Sequence, residues 1–341
     1  MNLAWVKLLV VGLGLALPAA VEAQFNYVTQ NGAITITGYT GSGGTVTIPN
    51  SISSLPVTGI GNNAFSSISS LASVIIGTNV ATIGDRAFFS CTSLTNIALP
   101  NSITNIGNNA FNHCLKLENA MLPNSVTSIG SNAFWDCSSL TNVVIPASVI
   151  SIGSQAFSFC YNLHAITVDA SNPSYGSVAG VLYDKNQTAL IQCPGGKAGS
   201  LTIPSSVNSV GASAFGDCNK LTGVYFQNDA PFADSTAFNG ASKVVVYYLA
   251  GTSGWNTTLG GAPTMLWNPQ AQTGDGSFGL RTNQFGFNVT GTTNIPIVVE
   301  ASTNLINWQP VQTNTLATGM AYFSDSQWTN YPTRYYRIRS P

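Results

Sequence analysis

The sequence predicts a mainly β protein, a solenoid of 23-residue coils followed by a small β-sandwich, and three observations support it. The tetrad Ile-Gly-x-x-Ala-Phe recurs at a 23-residue step. A strand-like run Leu-x-x-φ-x-φ, where φ is apolar, follows each tetrad. Near the C-terminus, short alternating runs broken by Gly and Asn occupy about 60 residues, the pattern of a small sandwich.

Composition narrows the function classes. Of 341 residues only 7% are charged, against about 25% in ordinary soluble domains. Eleven Lys and Arg stand against twelve Asp and Glu, a net charge of −1. Such a chain lacks the basic footprint that phosphate backbones require, which excludes nucleic-acid partners. A hydrophobic content of 44% excludes disorder. The polar surface must then be made of Ser, Thr, Asn and Gly.

Residues 1–23 read as a secretory signal. Lys7 supplies the basic n-region, Leu8 to Leu17 the apolar h-region, and Val21-Glu22-Ala23 a small-residue cleavage site. That apolar run is half of the roughly 20 residues needed to cross a bilayer, and no later stretch approaches about 18. The mature chain is therefore expected to start near Gln24, secreted or held at a cell surface or envelope, with no transmembrane segment. Residues 24–59 follow as N-terminal cap strands: Ile34-Thr35-Ile36 and Val46-Thr47-Ile48-Pro49 alternate on either side of Gly41 to Gly44. A solenoid needs a cap because its first coil otherwise exposes a bare apolar end.

The solenoid is expected over residues 60–226. The tetrad stands at Ile60-Gly61-Ala64-Phe65, Ile83-Gly84-Ala87-Phe88, Ile106-Gly107-Ala110-Phe111, Ile129-Gly130-Ala133-Phe134 and Ile152-Gly153-Ala156-Phe157. After a 58-residue gap it returns as Val210-Gly211-Ala214-Phe215. Three residues past the Phe comes Ile68 in the first copy and Cys91, Cys114, Cys137, Cys160 or Cys218 in the others. Three further comes Leu71, Leu94, Leu117, Leu140, Leu163 or Leu221. Pro100, Pro123 and Pro146 end strands because proline has no N–H for a ladder. One coil cannot enclose its own apolar side chains, but stacking at about 4.8 Å buries each column against its copies above and below. The Gly after each Ile is expected to serve a tight bend.

This unit, φ-P-x-S-φ-x-x-I-G-x-x-A-F-x-x-C-x-x-L-x-x-φ-x-φ, resembles the BspA-like class of leucine-rich repeat over about Ile34 to Phe226. The resemblance implies a curved parallel-β solenoid of secreted or cell-surface proteins and a binding role. It also implies an interruption of the repeat, here at about residues 169–200, which either packs on the solenoid or projects from it.

Residues 227–267 read as the C-terminal cap, with a strand from Lys243 to Tyr248 and with Trp255 and Trp267 covering the last coil. Residues 268–277 are polar and Gly-rich, fitting a linker. Residues 278–341 hold the runs Phe285 to Val289, Ile297 to Glu300, Ala321 to Phe323 and Tyr335 to Ile338, the expected sandwich module. Its strings Glu300-x-Ser302-Thr303-x-Leu305-x-x-Trp308, Phe323-x-Asp325 and Arg334-x-Tyr336-Arg337 resemble a small C-terminal module of exported bacterial proteins.

Catalysis needs a placed nucleophile, base or carboxylate pair. Asp85, Glu118, Asp136 and Asp217 fall at variable positions of different coils, and no nucleophile elbow or phosphate loop is present. No enzyme and no catalytic residue is expected. His113 and His164, the only histidines, carry no metal-ligand spacing, so neither metal nor cofactor is expected. Six cysteines in an exported chain suggest disulfides, but five share one column whose parallel Cβ vectors do not give the roughly 90° torsion that a disulfide prefers. Buried free thiols are expected there, with Cys193 left open.

The strand surface is the candidate site. Period-two alternation turns Ile75, Ala98, Met121, Val144, Thr167 and Tyr225 outward, a mostly apolar row where an unused surface would be polar. Beside it runs a polar set that includes Thr95, Thr141, Asn96, Asn119 and Asn142. An exposed apolar stripe with a polar rim marks an interaction site; otherwise the stripe supports sheet packing or is covered by another segment. Trp308, Trp328, Tyr331 and Tyr335 either stack on sugars or fill the sandwich core. The function expected is non-catalytic recognition or adhesion, with a protein or glycan bound on the strand face. The alternative is a structural, envelope-associated spacer without a specific ligand.

Overall fold

The Ile of each tetrad and the residue before it form a two-residue strand that pairs in parallel with the same two residues one coil on. Ile60 lies against Ile83, Ile83 against Ile106, Ile106 against Ile129 and Ile129 against Ile152. The Leu-x-x-φ-x-φ run builds a second parallel ladder. Gly44–Ile48, Leu71–Ile76 and Asn96–Ala98 lie side by side, as do Asn142–Ile145 and Ala165–Val168. Equal coil lengths put equal residues in register, so pairing between successive regular coils is parallel. The computed structural model describes residues 24–340, and the export signal expected at 1–23 lies outside the described residues.

Between the ladders run the internal columns. Phe65, Phe88, Phe111, Phe134 and Phe157 are fully buried, and consecutive rings stack at 5.0 to 5.5 Å between centroids. All six cysteines are buried and free. The column thiols do more than fill space. Cys91, Cys114, Cys137 and Cys160 each donate to the carbonyl of the preceding coil's Phe at 3.0 to 3.2 Å.

The tetrad glycines have a different cause from the bend expected of them. Gly84, Gly107, Gly130 and Gly153 have no positive φ; the left-handed residues lie two positions on, at Arg86, Asn109, Asn132 and Gln155. A Cβ on Gly107 would stand 2.6 Å from the carbonyl carbon of Gly84. Glycine is needed because successive coils approach backbone to backbone there.

At the N-terminal end, Phe25–Gln30 folds antiparallel onto Ala33–Tyr39, which pairs in parallel with Leu55–Ile60. The rings of Phe25 and Tyr39 cover Phe65 at 6.3 and 5.3 Å, closing the aromatic column. The interruption packs into the stack. Tyr175–Val178 and Val181–Asp184 form a hairpin, Val181–Asp184 pairs with Ala189–Gln192, and that strand runs parallel to Ser209–Val210. Ile152 N–H donates to the Tyr175 hydroxyl at 2.8 Å and the Gln155 amide to Ser213 at 2.9 Å, which ties the two halves together.

Residues 227–267 are more than the cap expected of them, for they contain another coil. Phe232–Ala233 pairs in parallel with Ser209–Val210, and Phe238 stacks on Phe215 at 4.4 Å. Asp234 stands in the glycine position, with Ala241 and Val244 in place of Cys and Leu, which hid this coil from the motif. Val245–Leu249 and then Ala262–Trp267 extend the strand face, and Trp255 stacks on Tyr248 at 4.9 Å.

The C-terminal residues form two antiparallel sheets. One holds Gly279–Arg281, Gln284–Thr290 and Met320–Asp325; the other holds Pro296–Ser302, Gln309–Thr315 and Tyr335–Arg339. Phe287, Val289, Ile297, Val299, Leu316 and Phe323 fill the space between them. Part of the expected linker belongs to this fold. Gln270–Ala271 pairs with Thr290 and Val289, and Asp275 accepts from Ser277 N–H and the Asn288 amide. The polar composition that read as a free linker satisfies a turn instead.

Candidate functional site

The strand face is a set of aligned columns. Thr47 lies beside Ile75 and Ile75 beside Ala98; Val144 lies beside Thr167; Thr202 lies beside Tyr225, Tyr225 beside Tyr247 and Tyr247 beside Met265. Over the first five rungs of the predicted row the face is open. Ile75 is 51% exposed, Met121 81% and Val144 60%. Ala98 and Thr167 are exposed too, as are the flanking Asn96, Asn119 and Asn142. The backbone ladder breaks at Met121, where only an isolated bridge joins Asn96 to Asn119. Ala120 stands there in place of the Ile97 and Val143 of neighbouring coils, and a run of Asn, Ala and Met has little strand preference.

Tyr225 departs from the expectation. It points outward from its strand as the alternation requires, yet it is only 4% exposed. Its ring stacks on Tyr247 at 4.6 Å and meets the edge of Trp267 at 6.1 Å, and all three pack with Phe287, Val289, Ile297 and Val299. The Trp267 indole N–H donates to the Pro296 carbonyl at 2.9 Å. The C-terminal module therefore sits on the strand face of the last coils and covers it. Gly223 makes room: a Cβ there would lie 3.0 and 3.2 Å from the Tyr225 and Tyr247 rings. Burial raises the pKa of both tyrosines. Tyr225 thus leaves the set of accessible site residues, for the second of the two reasons the sequence allowed.

The open face is almost uncharged. Ala72, Thr95, Glu118, Thr141 and His164 form the bordering column, linked by backbone hydrogen bonds from each to the one before. Two of the acids serve structure. Asp85 accepts from Asn108 N–H at 2.7 Å, in series with Asn62 accepting from Asp85 N–H and Asn108 from Ser131 N–H. Asp136 pairs with His113 at 3.1 Å; burial raises its carboxyl pKa, against the pull of His113. Among the described residues, no group of three His, Cys, Asp or Glu is placed to hold a metal ion.

A second surface escaped the sequence reading. His113, Trp135, Phe159 and Tyr161 form a ridge beside the Phe column, with His113 on Trp135 at 5.4 Å and Trp135 on Phe159 at 4.7 Å. The signal was present for three of them, an aromatic ring one or two places after the tetrad Phe.

In the module, Trp308, Trp328, Tyr331 and Tyr335 are not core, contrary to the simpler sequence reading. The core aromatics are Phe285, Phe287, Phe323 and Tyr336. The Arg337 guanidinium lies over Trp308 at 4.3 Å and that of Arg334 over Tyr331 at 4.2 Å. No described helix is long and apolar enough to cross a membrane.

The model of the BspA type leucine rich repeat region matches in six copies, at residues 58–179 and 195–250, more than half of the chain. The pneumococcal vaccine antigen PcpA is similar in structure over 65% of this chain and 68% of its own, with 22% identity and a TM-score of 0.55, a likeness of fold. A leucine rich repeat protein of T. pallidum is 27% identical over 67% of this chain and 85% of its own, with a TM-score of 0.44. A leucine rich cell surface protein of Faecalibacterium prausnitzii is 25% identical over 67% and 88%, with a TM-score of 0.45. No curated protein matches the chain.

Proposed function

The chain belongs to the BspA-type leucine-rich-repeat family, and from that premise we propose that it is an exported, non-catalytic recognition or adhesion protein that binds a partner protein on its open strand face. The observation that supports this reading is the row Ile75, Ala98, Met121, Val144 and Thr167, mostly apolar and exposed between largely uncharged polar columns. An apolar surface of this kind is costly to leave in water and gains most when a partner covers it. Five rungs at about 4.8 Å span roughly 20 Å, enough for one segment of a partner laid across the coils. A glycan suits this face less well. Sugars favour aromatic platforms, and the tyrosines that would provide them here, Tyr225 and Tyr247, are buried under the module. The apolar leader at residues 1–23 supports export.

The test is affinity capture with the mature chain from the native extracellular milieu, followed by titration of the captured protein against Met121→Asp/Val144→Asp. Each substitution buries a charge in the contact, so the double variant is expected to weaken binding at least about a hundredfold. Equal affinity of the variant moves the site off the strand face. Retention at the envelope through residues 278–341 alone, with no protein captured by the solenoid, would replace this reading with that of a spacer.

A further inference from the structure

The module contains a cleft of about 580 Å³ at the ends of Pro296–Ser302, Gln309–Thr315 and Met320–Asp325, away from its contact with the solenoid. Apart from Ala301, Pro310 and Val311, its lining is hydroxyl, amide or charged. In a chain this poor in charge, the ion pair there is notable. Asp325 has a side chain only 2% exposed and meets the Arg334 Nε at 2.6 Å; the Arg334 side chain is 14% exposed. Asp325 also accepts from Gln327 N–H at 2.9 Å and from the Tyr336 hydroxyl at 3.0 Å, so it is fixed from three sides. Arg334 is held in turn by the charge of Asp325 beside its Nε, an approach without hydrogen-bond geometry, and by the Tyr331 ring beneath its guanidinium. With Nε buried, a ligand oxygen would meet the guanidinium through its outer edge.

We propose that this cleft is a binding site for a neutral saccharide. Its volume falls within the range of about 300 to 1,000 Å³ usual for small-ligand sites. Sites for apolar ligands are lined mostly by apolar side chains, which this one lacks. Phosphates and carboxylates seek surplus positive charge, and here Asp325 offsets Arg334. Exposed amides such as Asn307, Gln309 and Gln327 both donate and accept, which matches the hydroxyls of a sugar ring, each donor and acceptor at once. Tyr331, 39% exposed with Arg334 over one face, leaves only the rest of its ring surface for the sugar's C–H face.

The test uses the full mature chain on an array of neutral hexose and N-acetylhexosamine mono- and disaccharides, with glucuronate and inorganic phosphate as charged arms, followed by calorimetric titration of the hits. A neutral saccharide is expected to bind. Asn307→Ala/Gln309→Ala should weaken it about tenfold, and Ser326→Trp, which plugs the cleft from an exposed position, should abolish it with unchanged circular dichroism. Met121→Asp/Val144→Asp should bind the sugar normally, which separates this site from the strand face. The proposal is overturned if no neutral saccharide binds, if glucuronate or phosphate binds more tightly, or if the Ser326→Trp chain retains the sugar.

Discussion

Phe111→Ala tests the packing on which the solenoid rests. The ring is fully buried and stacked on Phe88 at 5.3 Å and on Phe134 at 5.2 Å. Truncating a buried Phe costs about 3 to 5 kcal/mol, with the upper end reached where the cavity cannot collapse. Collapse is prevented here because backbone bonds fix the coil spacing on both sides, from Phe88 N–H to the Ala110 carbonyl at 2.8 Å and from Phe111 N–H to the Ala133 carbonyl at 2.7 Å. A loss of about 4 to 5 kcal/mol follows, a large part of the roughly 5 to 15 kcal/mol that holds a domain folded. Phe238→Ala is the internal control. Its ring stacks on Phe215 alone, and solenoid stability is a sum over nearest-neighbour interfaces, so its loss should be smaller by at least about 1 kcal/mol. Urea unfolding followed by far-UV circular dichroism measures both. Equal losses, or less than about 1 kcal/mol for Phe111→Ala, would refute the continuous column.

Four further outcomes follow from the same geometry. Gly107→Ala, despite its ordinary φ, should cost about 1 to 3 kcal/mol by overpacking the Gly84 backbone, and a neutral effect in urea unfolding would contradict the close-approach account. Burial pushes the Cys91 and Cys160 thiols up to about 12 from 9.0. The unfolded chain therefore releases these protons before the native one does: their contribution is complete below pH 9 and is lost as pH rises toward 12. The urea midpoint should fall over that window, less steeply in Cys91→Ala/Cys160→Ala; identical slopes would reject the thiol assignment. Trp267→Ala removes the bond to Pro296 and the edge contact with Tyr225, and should raise the radius of gyration in X-ray scattering and hasten proteolysis near residues 268–277; an unchanged profile would show that the module docks without it. In the module, burial would raise the Glu300 pKa, but bonds from Arg339 and Arg337 and their charges hold it below the usual carboxylate value. That contribution is present above pH 4.5 and lost on acidification. Glu300→Gln should flatten the acid limb of module unfolding, and an unaltered limb would assign the acid sensitivity elsewhere.

The repeat was legible in the sequence because its information is local and repeated: Ile60, Ala64, Phe65 and Leu71 recur at one spacing, and equal spacing forces equal residues to stack. The alternation in Leu71–Ile76 and its copies likewise marks which side chains leave the core. Three features were not legible. The coil around Phe238 was hidden because Asp234, Ala241 and Val244 fill the column positions by volume rather than by identity. The glycines had the right place and the wrong cause, since nothing local shows how near the next backbone comes. The occupation of Tyr225 was decided only by tertiary contact. A strand pattern states that a residue faces outward, but what lies outside depends on segments such as Phe287 to Val299, distant in the chain and brought there by folding. The sequence alone thus determined the coil and its open flank; where that flank ends was set by the docking of the module, a burial of apolar surface that no periodicity encodes.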